Sequence, residues 1–160
     1  MIGYALFSRF VVEIDYQSCF VSLHEPGAYQ YAGAGESIQL DILSKLPFAP
    51  MEIPLEGRKP LEGEGQFMVD SGAGRFTLIL NTPVVATNNL LAAAQRTITE
   101  PGATGVGGEV KLLVGRLPGL QLGHFTLKGP VIHFAQDRKG TFATSDFSVC
   151  LVGSYCADSK

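Results

Sequence analysis

The residues best suited to chemistry are Asp70 and Ser71, which follow Phe67-Met68-Val69 and precede Gly72-Ala73-Gly74. Three apolar residues ahead of the carboxylate read as the end of a buried strand. Asp70 then emerges where water is scarce, and its proton affinity responds strongly to neighbouring charges and donors. Such a group suits acid–base chemistry. The tripeptide also has a plain structural use, because Asp and Ser favour turns and glycine accepts positive φ, so Asp-Ser-Gly can reverse the chain and do nothing else. Ser71 is no hydrolase nucleophile, since the GxSxG pattern is missing around it. His24, His124 and His133 are scattered without HExxH or comparable spacing and read as surface or partly buried histidines; no metal or other cofactor is expected. Gly33-Ala34-Gly35-Glu36-Ser37-Ile38 lacks the last glycine of a dinucleotide loop, and no Gly-Lys-Ser/Thr cradles a phosphate.

The elements that must position Asp70 belong to a chain of 160 residues, enough for one domain burying roughly two-thirds of its unfolded surface. Hydrophobic content of 46% against 17% charged residues predicts a packed globular protein, and 19 glycines with 9 prolines predict many turns and few long helices. A net charge of −3 without a Lys/Arg cluster removes the electrostatic footprint of a nucleic-acid binder. Cys19, Cys150 and Cys156 form neither a disulfide framework nor a zinc pattern and read as small buried residues, with one pairing open if the protein is exported. The stretch from Met1 to Phe10 has no leading basic cluster and is interrupted by Arg9, so it reads as neither signal peptide nor membrane span, and a soluble protein without a membrane partner is expected.

Alternating and β-branched runs predict about nine short strands. Phe10–Tyr16 and Cys19–Leu23 form a hairpin; Ile38, Leu40 and Ile42 alternate, as do Met51, Ile53 and Leu55, with Pro47 and Pro50 breaking the chain between them. Gln66–Asp70, Phe76–Leu80, the run through Val110, Leu112 and Val114, Phe125–Leu127, Val131–Phe134 and Val149–Val152 follow. Thr82-Pro83 matches a cap-then-Pro helix start, and the helix extends over Val84–Gln95. Pro101–Gly108 reads as a mobile glycine-rich hairpin tip. The count fits a mostly antiparallel barrel or sandwich.

Phe67-Met68-Val69-Asp70-Ser71-Gly72-Ala73 resembles the hydrophobic-hydrophobic-Asp-Thr/Ser-Gly-Ala signature of aspartic proteases, especially the retropepsin-like aspartyl proteases found in bacteria. The order of the later pieces is similar to that family as well: a strand at Phe76–Leu80, a helix at Val84–Gln95, a flap tip at Gly105-Val106-Gly107-Gly108, and two apolar residues with a glycine at Leu151-Val152-Gly153. The resemblance implies an all-β, retropepsin- or pepsin-lobe-like closed barrel of short antiparallel strands with one or two short helices. It covers most of residues 36–153, so residues 36–160 are expected to be the protease-like domain, truncated at its C-terminal end. Residues 1–35 are expected to hold a short helix and a hairpin. There Ile2-Gly3 leading to Val11–Tyr16 looks like the closing element of a preceding lobe, the other reading being a single-lobe protein with a hairpin of its own.

What the resemblance implies for activity is hydrolysis of peptide bonds by a water held between two aspartates that share a proton. Asp70 supplies one. Ser71 steadies the loop, Gly72 and Ala73 allow close backbone approach, Gly105, Val106, Gly107 and Gly108 close over a peptide, and Gly153 is the glycine of the ψ-loop. No second Asp-Thr/Ser-Gly occurs in the chain; Asp146 and Asp158 lack the motif. The partners implied are therefore a peptide or protein substrate and either a second copy or a further lobe, in a compartment compatible with bacterial cytoplasm or periplasm. The alternative is an inactive β module that holds an extended peptide or partner chain.

Overall fold

The computed structural model describes residues 3–71, 78–105, 108–144 and 148–150; for 62–66, 100–105, 108–110, 141, 144 and 148–150 it describes the backbone alone. The chain is all-β with short helices and divides into two compact units, one up to Ser37 and one from Ile38.

In the first unit, Gly3 precedes a single helical turn, α1 (Tyr4–Phe7), and β1 (Val11–Asp15) pairs antiparallel with β2 (Phe20–His24). The hairpin register ends at Asp15 and Phe20, leaving a four-residue loop. Asp15 organises that loop. Its carboxylate accepts hydrogen bonds from the Gln17 amide at 2.8 Å, the Ser18 amide at 3.1 Å and the Ser18 hydroxyl, the usual way an Asp initiates a turn. Cys19 closes the loop at φ 60, exposed and disulfide-bonded. The expectation of a small buried cysteine fails here because the residue lies in the turn rather than on a core-facing strand position. A 3-10 turn at Pro26–Ala28 follows, and no described residue before Ile38 is buried.

The second unit is built on one sheet of ten strands. Its elements in chain order are β3 (Asp41–Leu43), β4 (Leu46–Ile53), β5 (Leu61–Val69), β6 (Leu78–Leu80), α2 (Thr82–Thr87), α3 (Leu90–Ala93), β7 (Gln95–Gly105), β8 (Gly108–Arg116), β9 (Gly119–Leu122), β10 (Phe125–Lys128), β11 (Val131–Ala135), α4 (Thr141–Thr144) and β12 (Ser148–Cys150). The strands run β10-β9-β4-β5-β12-β6-β11-β8-β7, with β3 beside β4. Phe67, Leu78, Leu80, Ile132 and Phe134 are essentially inaccessible and join Ile53, Leu90 and Leu117 in one core. Each such side chain contributes roughly 1.5–3 kcal/mol on leaving water.

Several expectations are corrected. The sheet is open, its described path ending at β10 and β7, so the closed barrel does not form among the described residues. The pairings are mostly antiparallel, as expected, with β12 parallel to β5 and β11 parallel to β6. Pro47 and Pro50 do not break the chain: β4 runs through both, with a register shift between Ala49 and Met51 that places Pro50 in a bulge, where no ladder N–H is required. The single helix over Val84–Gln95 is two short ones. Asn89 adopts φ 49, which no α-helix continues through, and the chain is already in β7 at Gln95. α1 is the short helix expected before residue 36, α2, α3 and α4 are the described helices after it, and the described strands number twelve against about nine expected. Of the alternating Ile38, Leu40 and Ile42, only the Asp41–Leu43 segment is strand, and Ile42 is exposed.

Candidate active site

Asp70 is the first residue beyond β5, half-buried, with Ser71 exposed in the turn after it. Its position follows from what lies beside β5. Strand β12 runs parallel to β5, with Ser148, Val149 and Cys150 opposite Phe67, Met68 and Val69. On its other side β12 runs antiparallel to β6, with Val149 opposite Ile79 and Cys150 opposite Leu78. β5 and β6 are consecutive strands that are not paired with each other; β12 pairs with both, Cys150 lying opposite Val69 on one side and Leu78 on the other. Asp70 follows the last residue of β5, beside the Cys150 end of the parallel strand β12. Phe67 at 1% exposure and Leu78 at 0% hold the two flanking strands in the core.

The other end of β6 is fastened as firmly. Asn81 is fully buried and its side chain accepts the Val84 amide at 3.3 Å, which makes Asn81 the cap of α2. Thr82, expected as the cap, is instead the first helical residue, and Pro83 follows within the first turn. The Thr82 hydroxyl is directed at the Ala135 carbonyl, 3.1 Å away, and the Asp137 carbonyl, 3.0 Å away, tying α2 to the end of β11 where Phe134 lies opposite Leu80. Sequence reasoning missed this clamp. The signal was present in Asn81-Thr82-Pro83, since an Asn two residues before a first-turn proline is itself a helix-start pattern.

The hairpin of β7 and β8 closes with Gly105 opposite Gly108, so these two glycines are brought together. Val106 and Gly107 lie outside the described residues, as do Gly72, Ala73, Gly153, Asp146 and Asp158. The hairpin carries two irregularities, between Gln95 and Ile98 and between Glu100 and Ala103, and such bulges bend a ribbon and increase its twist. Arg96 sits in the first with φ 43, and Gly115 faces it: a Cβ there would lie 3.2 Å from the Arg96 carbonyl oxygen and 3.3 Å from the Phe134 ring. Strand pairing alone does not bring the hairpin to Asp70, because β12, β6, β11 and β8 stand between β5 and β7.

Of the histidines, His133 is buried on β11, His124 is exposed, and His24 pairs with Glu13 at 3.0 Å beside the Tyr29 ring. Among the described residues no cluster of His, Cys, Asp and Glu is gathered for a metal, and no helix is long and apolar enough to cross a membrane.

No protein-family model matches this sequence, and no curated protein is significantly similar to it. Among solved structures, the chain is similar to EIAV protease complexed with the inhibitor HBY-793, with 17% identity, a TM-score of 0.43, and coverage of 77% of this chain and 88% of that one. At that identity and score the likeness assigns neither family nor activity.

Proposed function

We propose that this protein is an aspartic-type endopeptidase in which Asp70 supplies one of two catalytic carboxylates and a second copy of the chain supplies the other. The observation that carries the reading is the half-buried Asp70 at the mouth of the β5–β12–β6 arrangement, followed by Ser71 and a glycine. Two carboxylates meeting at such a mouth cannot both ionise; one keeps its proton and the other draws a proton from a shared water, which attacks the peptide carbonyl. The pair titrates as a unit. In this reading Ser71 steadies the loop, Gly72 and Ala73 allow close backbone approach, the Gly105–Gly108 tip covers the peptide, and Gly153 is the ψ-loop glycine.

The chain contains no second Asp-Thr/Ser-Gly, and that favours a second reading, a β module that holds an extended peptide without cleaving it. One experiment separates the two. Cleavage of a general protein substrate is followed across pH with and without an aspartic-protease transition-state mimic, alongside the oligomeric state. The expected result is mimic-sensitive activity, highest at acidic to mildly acidic pH, in a two-fold dimer, reduced about a hundred-fold or more by Asp70→Asn. Activity unchanged by that substitution removes Asp70 from the mechanism, and a stable monomer without activity leaves the binding module.

A further inference from the structure

The N-terminal unit has a groove that the Asp70 chemistry does not use. The hairpin register puts Val12 opposite Leu23 and Ile14 opposite Val21, so these four side chains share one face of the two-stranded sheet, while Glu13, Ser22 and His24 lie on the other. Such alternation belongs to a sheet with one dry face. Here part of that face stays open: Val21 is 54% exposed and Leu23 48% exposed. The two side chains line a groove of about 520 Å³ whose other walls include Leu6 of α1 and, after it, Arg9 and Phe10.

Three features of the groove describe its occupant. The lining is apolar apart from Arg9, so it takes aliphatic side chains. β2 pairs with β1 alone, which leaves its second edge without a strand among the described residues; an extended chain laid there satisfies the open N–H and C=O groups and turns alternate side chains to the Val21–Leu23 face. Arg9 gives the direction. It stands two residues before Val11, which pairs with His24, so the groove's single charge is placed at the open end of the hairpin. Its guanidinium is exposed and makes no hydrogen bond or ion pair among the described residues. An unpaired guanidinium at the end of an apolar groove, rather than along it, suits the carboxylate that ends a chain.

We propose that this groove is a docking site for the C-terminus of an extended apolar peptide, which adds to β2 as a strand, buries alternate aliphatic side chains against Val21 and Leu23, and places its terminal carboxylate on Arg9. Because β2 runs toward the Arg9 end, the bound peptide lies parallel to it.

The test is binding of a short fluorescein-labelled peptide of alternating valine and threonine, with a free C-terminus, to the full chain at neutral pH. Anisotropy reports affinity and amide hydrogen exchange reports the place. Saturable binding is expected, weakened about ten-fold or more by amidating the peptide and to the same extent by Arg9→Gln, with no further loss when the two changes are combined. Exchange is expected to slow in β2 and to stay unchanged in β5 and β11. Absence of saturable binding overturns the proposal, as does equal affinity for the acid and amide peptides or affinity that survives Arg9→Gln. Protection confined to the second unit overturns it as well. Dodecanoate that binds with the same dependence on Arg9, where the peptide does not bind, makes the ligand a lipid and also overturns it. None of these results depends on Asp70, so the docking site and the protease reading fail separately.

Discussion

Replacing Lys45 by glycine should stabilise this protein, and the expected gain follows from the turn between β3 and β4. Leu43 pairs with Leu46, so Ser44 and Lys45 form a two-residue loop, and both have positive φ, 51 and 67. That is the pattern of a type I′ turn, which suits the twist of the flanking strands and prefers Asn-Gly. A residue with a Cβ pays about 1–2 kcal/mol in the left-handed region. Glycine escapes this cost but loses about 0.5–1 kcal/mol more backbone freedom on folding. Lys45 is exposed and makes no side-chain hydrogen bond or ion pair among the described residues, so nothing else enters the balance. The net gain for Lys45→Gly is about 0.5–1 kcal/mol, equivalent to about 1–4 °C in Tm for a chain of this size. Ser44→Asn should add a smaller increment, Lys45→Ala should change little, and Lys45→Val should lower Tm, because β-branching makes the left-handed region costlier still. Differential scanning calorimetry of the four variants measures this directly. A Tm for Lys45→Gly at or below that of the parent, together with an unchanged Lys45→Val, would refute the turn assignment.

Asn81→Ala removes the cap of α2 and leaves the Val84 amide without its acceptor in a fully buried setting, so urea denaturation should report a loss of about 2–3 kcal/mol. The Asp15 carboxyl is held below the usual carboxylate range, first by the Ser18 hydroxyl and then by the Ser18 and Gln17 amides. A carboxylate with a depressed folded pKa contributes stability that is fully present above the unfolded value and is lost as pH falls through the folded one. Amide exchange in the Tyr16–Cys19 loop should therefore stay slow at pH 4 and accelerate only at more acid pH, and in Ser18→Ala an NMR titration should move the Asp15 midpoint upward.

Strand and turn chemistry were readable one residue at a time. The β1–β2 hairpin, β8, β10 and β11 follow from alternating or β-branched runs, and Asp70 behind three apolar residues does stand at a strand end. Where reading failed, the deciding interaction was distant. Pro47 and Pro50 look like breakers because a local rule counts their missing N–H groups, yet a bulge against β5 makes one of those groups unnecessary. The helix divides at Asn88-Asn89 because Asn89 accepts a left-handed backbone and the chain must turn to begin β7.

By itself the sequence determined the class of protein, rich in short strands and turns, and put one acidic side chain behind an apolar run, because side-chain alternation and turn preferences act over a few residues. Only the tertiary structure decided that β12, some eighty residues after β5, would enter between β5 and β6, and that two of the described pairings would be parallel. Strand partners are chosen by burying Phe67, Leu78 and Phe134 together, a condition set by the whole core at once and written in no single segment.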